Sequence, residues 1–188
     1  MSNKTVCILL ADGFEEVEAI YPADIFKRLG INVIMAGIEN NIIRGTHDIK
    51  IETPYTLNDI DVTSFDALVL PGGLPGTINL RDSQKVIELI RQADNEHKII
   101  AAICAAPIVL HDAGITENKR TTGYPTCERL ANSGNFHFTG NMVEQDQNII
   151  TAIGMGQAAP FAFAIAQSLG ISSDKIANTA KNAFIDVK

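Results

Sequence analysis

The chain has 188 residues, a formal net charge of -7, and 46% hydrophobic and 20% charged residues. These values are typical of a globular protein with a well-filled core, and we expect a single domain over residues 1–188. The acidic balance and the lack of a Lys/Arg cluster argue against nucleic acid as a principal partner, because phosphate binding needs a basic surface. No apolar run approaches the roughly 20 residues of a membrane span or resembles a signal peptide, which predicts a cytoplasmic protein without a membrane partner.

The hydrophobic periodicity predicts strands that alternate with helices. In chain order, the expected strands are 5–10, 31–36, 67–70 and 99–103, and the expected helices are 15–29, 83–95 and 157–169, the second of them capped by Ser83. Short strands are also expected near 42–43, 49–51, Phe136 and Ile149. This order predicts an α/β fold, a mostly parallel sheet with helices on both faces.

Ligands bind at the carboxyl ends of the strands in such sheets, and three loops gather there: 12–18, 71–76 and the segment around Cys104. Cys104 stands where an apolar strand stops and a short helical pattern, 105–110, begins, which predicts a nucleophile elbow. A helix amino end favours an anion and so lowers the pKa of a thiol placed there. A buried structural cysteine is the alternative interpretation, because free cysteine is often buried.

The two other loops contain carboxylates and glycines. Glu15, Glu16 and Glu18 occupy the first turn of the predicted helix, where they either compensate the helix dipole or send one protonated carboxyl toward Cys104. The Gly72-Gly73 pair forms either a tight turn or backbone N–H donors to an oxyanion. The N–H of Ala105 is the candidate second donor.

Several other functional motifs are excluded. The segment 154–159 matches G-x-G-x-x-A with Asp174 about 20 residues beyond it, but the dinucleotide pattern needs a second strand where this sequence predicts a helix. Cys7, Cys104 and Cys127 show no C-x-x-C spacing, which suits a reducing compartment and excludes the usual zinc frameworks, so we expect no metal.

The four histidines offer no imidazole beside the thiol. His111 lies seven positions after Cys104, about 10 Å along a helix, and so cannot reach the sulfur as a cysteine amidase requires. His97 and His137 are interpreted as surface or packing residues. His47 approaches the site only from a loop or from a partner subunit.

Three segments in this order and spacing carry a resemblance to a known family: A-D-G-F-E-E-V-E at 11–18, L-P-G-G at 70–73 and A-A-I-C-A-A-P at 101–107. The chain resembles the ThiJ/PfpI superfamily from about residue 5 to 186, and most of all the branch that contains the Parkinsonism-associated deglycase. The resemblance implies a flavodoxin-like three-layer sandwich, usually a homodimer. It also implies a reactive Cys104 partnered by a protonated Glu18, with oxyanion donors at Gly73 and Ala105.

The chain departs from the family pattern at three positions. Tyr124, in Gly123-Tyr124-Pro125, stands where human-type members carry a histidine that is often named as the acid/base residue. Tyrosine donates a hydrogen bond but is a poor base near pH 7, since its reference pKa is about 10. His47 and Ile153 replace the pocket arginines of that relative, which weakens an anion site. Glu15, Gly72 and His47 are the further residues expected at the pocket.

The leading functional hypothesis is a cofactor-independent cysteine enzyme that acts on small reactive carbonyls, of the glutathione-independent glyoxalase (methylglyoxal to lactate) or deglycase type. In this hypothesis the catalytic residues are Cys104, Glu18, Gly73, Ala105 and Tyr124. The alternative is an oxidative-stress sensor or redox-regulated chaperone in which Cys104 is oxidised without turnover. A peptidase or amidotransferase is disfavoured by the missing imidazole.

Overall fold

The computed structural model describes residues 4–132 and 136–186. Its strands are β1 (Thr5–Leu10), β2 (Asn32–Gly37), β3 (Ile42–Arg44), β4 (Lys50–Glu52), β5 (Tyr55–Thr56), β6 (Ala67–Leu70), β7 (Ile99–Ile103), β8 (Val143–Asp146) and β9 (Ile149–Ala152). Its α-helices are α1 (Glu16–Arg28), α2 (Gly76–Asp82), α3 (Gln84–Asn95), α4 (Pro107–Asp112), α5 (Ala158–Ser168) and α6 (Ser173–Asn182). Short 3-10 turns lie at Leu57–Asp59, Val62–Ser64, Glu128–Leu130 and Met155–Gln157.

Seven of the strands form one sheet in the order β5-β2-β1-β6-β7-β9-β8. All neighbours run parallel except β8, which pairs antiparallel with β9 at the edge. β3 and β4 form a separate antiparallel hairpin. The predicted α/β class, flavodoxin-like with a mostly parallel sheet, is confirmed.

The core is divided into two layers by the sheet, because successive side chains of a strand point to opposite faces. Val6 and Ile8 of β1 join one buried cluster, which includes side chains of α1 and α5. Cys7 and Leu9 join the other, which includes side chains of α3 and α4. Among the described residues, no helix is long and apolar enough to cross a membrane.

The predicted strands and long helices are found within a few residues of their expected bounds, but four details were wrong. Phe136 lies outside any strand and stacks on His111 with ring centroids 3.5 Å apart. α2 and α6 were not predicted: α2 is short and opens with Gly76, and α6 buries only Ala180. Ser83 joins α2 to α3, but its side chain makes no capping hydrogen bond.

The elbow helix α4 begins at Pro107 rather than at 105. Proline is well suited to the first turn of a helix, where its missing N–H costs nothing. Asp174 lies in the first turn of α6, not at the end of a strand. The dinucleotide interpretation of 154–159 therefore lacks the strand that it needs.

Candidate active site at the Cys104 elbow

Cys104 is held at the carboxyl end of β7 in a conformation that few side chains adopt. Its φ is 63°, in the left-handed region, which costs free energy unless the surroundings enforce it. The Cys104 N–H donates to the carbonyl of Ala152 at 2.9 Å, and the Cys104 carbonyl accepts from the N–H of Tyr124 at 2.7 Å. The thiol is only partly buried, so the fixed elbow presents it to small molecules.

Glu18 lies beside this thiol on the first turn of α1 and is fully buried. Its Oε2 accepts the N–H of Gly72 at 2.9 Å, whereas its Oε1 has no hydrogen-bond partner among the described residues. A Cβ at Gly72 would lie 2.7 Å from Glu18 Oε2 and 2.8 Å from Cys104 Cβ. Gly72 is therefore the contact point between the two side chains, and any larger residue would push them apart.

The buried carboxyl and the thiol strongly affect each other's ionisation. Burial raises the pKa of Glu18 to about 7, although hydrogen bonds from Gly72 and Cys104 oppose this shift. Burial and the Glu18 charge raise the pKa of Cys104 to about 12. The lowered thiol pKa expected from the helix end is therefore wrong while Glu18 is ionised, because burial and the neighbouring charge outweigh the N–H of Ala105.

Some backbone N–H groups near the sulfur already have an acceptor, and others do not. The N–H of Ala105 bonds to the Cys104 thiol, and that of Gly72 is taken by Glu18. Gly73 has φ 89°, and its carbonyl accepts from Thr77, but among the described residues its N–H has no acceptor. Gly73 thus offers a free backbone donor in the 71–76 loop, as does Leu74, whose N–H also has no acceptor among the described residues.

Glu15 and Glu16 face the β3–β4 hairpin rather than the thiol. His47 Nδ1 lies 2.9 Å from Glu16 Oε2 and 3.7 Å from Glu15 Oε1. Burial opposes the charge of Glu16, but hydrogen bonds from His47 and Thr46 lower its pKa to about 2. The hydrogen bond to Glu16 also raises the pKa of His47. Within the described part of the chain, Glu15, Glu16 and His47 are the one group of three such side chains close enough to share a metal ion. His47 and Glu16 are already hydrogen-bonded to each other.

Among the described residues, the hydrogen bond between Tyr124 and Cys104 joins backbone atoms. The Tyr124 ring is half exposed, and its hydroxyl has no hydrogen-bond partner among the described residues. His111 is held elsewhere: Thr116 Oγ1 lies 2.5 Å from its Nδ1, Thr121 Oγ1 lies 3.1 Å from its Nε2, and burial lowers its pKa to about 4. Both of its nitrogens are occupied, which agrees with an elbow that has no imidazole.

The sequence reasoning missed Gly123 and Ala152. A Cβ at Gly123 would lie 2.9 Å from the Cys104 carbonyl, so only a glycine lets this segment lie on the elbow. The glycine directly before Tyr124-Pro125 was the available signal. Ala152 acts through its carbonyl, which no sequence pattern reveals.

A Gly72→Ala variant should separate Glu18 from Cys104. We expect a loss of about 1–3 kcal/mol in the free energy of unfolding, since neither backbone nor buried carboxyl has room to move, together with altered alkylation of Cys104. Urea denaturation and iodoacetamide kinetics measure both effects. Gly156→Ala is the matched control, because a Cβ there meets nothing within 4 Å; equal stability of the two variants would contradict the close packing at Gly72.

Known proteins with similar sequences and structures share this architecture. The model of the DJ-1/PfpI family matches residues 4–168. The chain belongs to the DJ-1/PfpI family. It is 34% identical over 184 residues to protein dj-1beta of Drosophila melanogaster, covering 97% of this chain and 98% of that protein. The crystal structure of that protein superposes with a TM-score of 0.91 over 98% of this chain and 99% of the other, at 34% identity.

Two further DJ-1/PfpI relatives are informative. The deglycase PfpI of Pyrococcus furiosus is 36% identical over 120 residues, which cover 63% of this chain and 71% of that protein. A DJ-1 superfamily protein from Salmonella typhimurium, whose crystal structure carries a cysteine-to-alanine mutation, has a TM-score of 0.89 at 32% identity, over 97% of this chain and 99% of the other. The resemblance drawn from the sequence motifs is confirmed.

Proposed function

We propose that the protein is a cofactor-independent cysteine enzyme that acts on small reactive carbonyls, converting methylglyoxal to lactate or removing such carbonyls from their adducts. The observation that carries the proposal is the pair formed by an accessible thiol, Cys104, and a fully buried carboxyl, Glu18. A relative of this chain is named a deglycase, which supports this class of substrate.

The reactive form of the pair holds its proton on Glu18. A negative charge is costly at Glu18, where the side chain is fully buried and Oε1 has no partner. The sulfur is partly exposed and receives the N–H of Ala105, which stabilises a negative charge on it. A proton on Oε1 also leaves Oε2 free to accept the Gly72 N–H.

In the proposed reaction, the Cys104 thiolate adds to the aldehyde carbon of methylglyoxal. The former carbonyl oxygen takes the electron pair, receives the free N–H of Gly73, and gains the proton of Glu18 to give a hemithioacetal. Glu18, now ionised, removes the carbon-bound proton to give an enediolate. Return of this proton to the neighbouring carbon, with transfer of the hydroxyl proton from the first oxygen to the second, gives a lactoyl thioester. Water hydrolyses this thioester and restores the thiol, so no external oxidant or reductant is needed.

Two residues have roles that differ from those expected from the sequence. The N–H of Ala105 stabilises the thiolate as well as any oxyanion, because it is bonded to the sulfur at the start. Tyr124 donates a hydrogen bond from the rim of the site but does not act as a general base. Glu18 or water moves the protons. Glu15, Gly72 and His47 shape the surroundings of the pair.

The test is methylglyoxal consumption with lactate detection by the purified protein, by Cys104→Ala and by Glu18→Gln. We expect turnover to fall at least about a hundredfold in both variants, since each removes one half of the pair. Turnover by the unchanged protein that does not exceed the Cys104→Ala background would contradict the proposal and favour the redox-sensor alternative, in which Cys104 is oxidised without turnover.

We also propose that the protein is a homodimer in the cytoplasm. The exposed side chains Val17, Ile20 and Tyr21 lie on one face of α1, with exposed fractions of 40%, 43% and 39%. Three large apolar groups on a single helix face are typical of a contact surface. Light scattering on the purified protein should give twice the 20.3 kDa chain mass, and a monomer would contradict this part of the proposal.

A further inference from the structure

His111 is a buried imidazole for which the proposed reaction has no use. It lies on the last turn of α4, the helix that follows the nucleophile elbow. Burial lowers its pKa to about 4, against the opposing charges of Asp112 and Glu128, so the ring is neutral near pH 7. A neutral imidazole has one donor and one acceptor nitrogen, and both nitrogens of His111 have a partner.

The two nitrogens of His111 contact different parts of the chain. Thr116 Oγ1, in the loop that follows α4, lies 2.5 Å from Nδ1. Thr121 Oγ1 lies 3.1 Å from Nε2. Thr121 begins the covering segment, residues 121–124, which lies on the elbow. The Nε2 hydrogen bond therefore joins the covering segment to the helix that follows the nucleophile.

A closed circuit of chain and hydrogen bonds surrounds the elbow. From Cys104 the chain runs through α4 to His111, whose Nε2 bonds to Thr121. Three residues later, the N–H of Tyr124 returns to the Cys104 carbonyl at 2.7 Å. Cys104 has φ 63°, a conformation that persists only where the surroundings enforce it. The circuit supplies this constraint on the side of the covering segment.

The ring of His111 also supports the covering segment by packing. Phe136 stacks on the imidazole with ring centroids 3.5 Å apart and planes 13° apart, and the ring of Phe138 lies 5.4 Å from that of Phe136. A Cβ at Gly123 would lie 2.6 Å from the Phe138 ring and 2.9 Å from the Cys104 carbonyl. The aromatic stack on His111 therefore continues to the residue that touches the elbow.

The sheet holds the other side of the covering segment. The N–H of Thr122 donates to Thr151 Oγ1 of β9 at 2.8 Å, and the Thr121 carbonyl accepts from the N–H of Thr139 at 2.9 Å. Loss of the His111 bond should therefore loosen the covering segment without detaching it, and a variant that lacks this bond should stay folded.

We propose that His111 is a positioning residue for the Cys104 thiol: its Nε2 hydrogen bond to Thr121 fixes the covering segment, which holds Cys104 in the conformation that sets the sulfur beside Glu18. Without this bond, the Cys104 backbone relaxes toward an ordinary conformation and the sulfur moves away from the carboxyl. The inference concerns only the reactivity of the thiol, so its test does not depend on carbonyl turnover.

Thr121→Val and Thr116→Val are a matched pair of variants for this proposal. Each replaces a buried hydroxyl by a methyl group and leaves one nitrogen of His111 without its partner, so both should lower the urea midpoint to a similar extent. We expect only Thr121→Val to slow iodoacetamide alkylation of Cys104 at pH 7, by at least about threefold. Its alkylation midpoint should also move from near pH 7 toward the ordinary thiol pKa of 9.0. Intact mass measures the rates above pH 6, where His111 stays neutral and its own titration does not contribute.

Side-chain length at position 111 provides a second test, which also decides the question if a valine variant fails to fold. The amide of His111→Gln reaches the place of Nε2 and so bonds to Thr121, whereas the amide of His111→Asn ends at the place of Nδ1 and bonds to Thr116. His111→Gln should recover most of the alkylation rate that His111→Asn loses. The proposal is overturned if Thr121→Val keeps the pH profile of the unchanged protein, if Thr116→Val shifts that profile as far as Thr121→Val does, or if His111→Gln and His111→Asn are equally slow.

Discussion

Glu18→Gln should remove a large part of the pH dependence of folding stability. In the unfolded chain Glu18 ionises near its ordinary value of 4.5, and in the folded protein near 7. The folded state therefore holds an extra proton between these values, so the stability that Glu18 contributes is complete below pH 4.5 and is lost as the pH rises through 7. A shift of this size corresponds to roughly 3 kcal/mol.

Urea denaturation at about pH 5 and pH 8 measures this effect in both proteins. The unchanged protein should lose on the order of 3 kcal/mol more between these two conditions than Glu18→Gln. Glu88→Gln, at an exposed position on α3, is the matched control and should not alter the slope. Equal slopes for the unchanged protein and Glu18→Gln would mean that Glu18 is ionised at every pH tested.

The Glu18→Gln substitution should also strongly change the reactivity of the Cys104 thiol. Burial raises the pKa of Glu18 to about 7, so one proton leaves the Cys104–Glu18 pair near that pH, and the two groups share the proton that remains. When that proton is on Glu18, the sulfur is a thiolate. In Glu18→Gln no carboxyl proton is available, and the thiol must ionise against burial. We expect iodoacetamide alkylation at pH 7 to slow at least about tenfold.

Glu18→Asp should recover part of the alkylation rate, because it restores a carboxyl group at a longer distance from the sulfur. Cys104→Ser gives the background from the two remaining thiols, both of which are buried. Faster alkylation of Glu18→Gln than of the unchanged protein would show that an ionised Glu18 suppresses the thiol, and it would reverse the assignment of the proton.

Much of the fold could be predicted because its signals are local. The β1 strand reads as an unbroken apolar run, and the structure buries Val6 and Cys7 on opposite faces, as a strand covered on both sides requires. α6 was missed because its apolar stripe is short: Ala180 is buried, Ile176 packs partly buried against the core, and most of its other residues are polar.

The candidate site was predictable only in its outline. The elbow and the glutamates stand at the ends of predicted strands, so the topology brings their loops together. The choice of Glu18 over Glu15 and Glu16 depended on the family resemblance, because dipole compensation explains all three equally well. The raised pKa of the thiol depends on burial and on the neighbouring Glu18 charge, both of which arise only when distant segments pack.

The proton of the Cys104–Glu18 pair can be located directly by a spectroscopic pH titration. Ultraviolet difference spectra of the unchanged protein against Cys104→Ser report the thiolate, and infrared spectra against Glu18→Gln report the C=O band of a protonated carboxyl. We predict that a thiolate signal appears as one proton leaves the pair near pH 7, and that part of the protonated carboxyl band remains above that pH because the two groups share the remaining proton. Loss of the carboxyl band near pH 7 without any thiolate would contradict it.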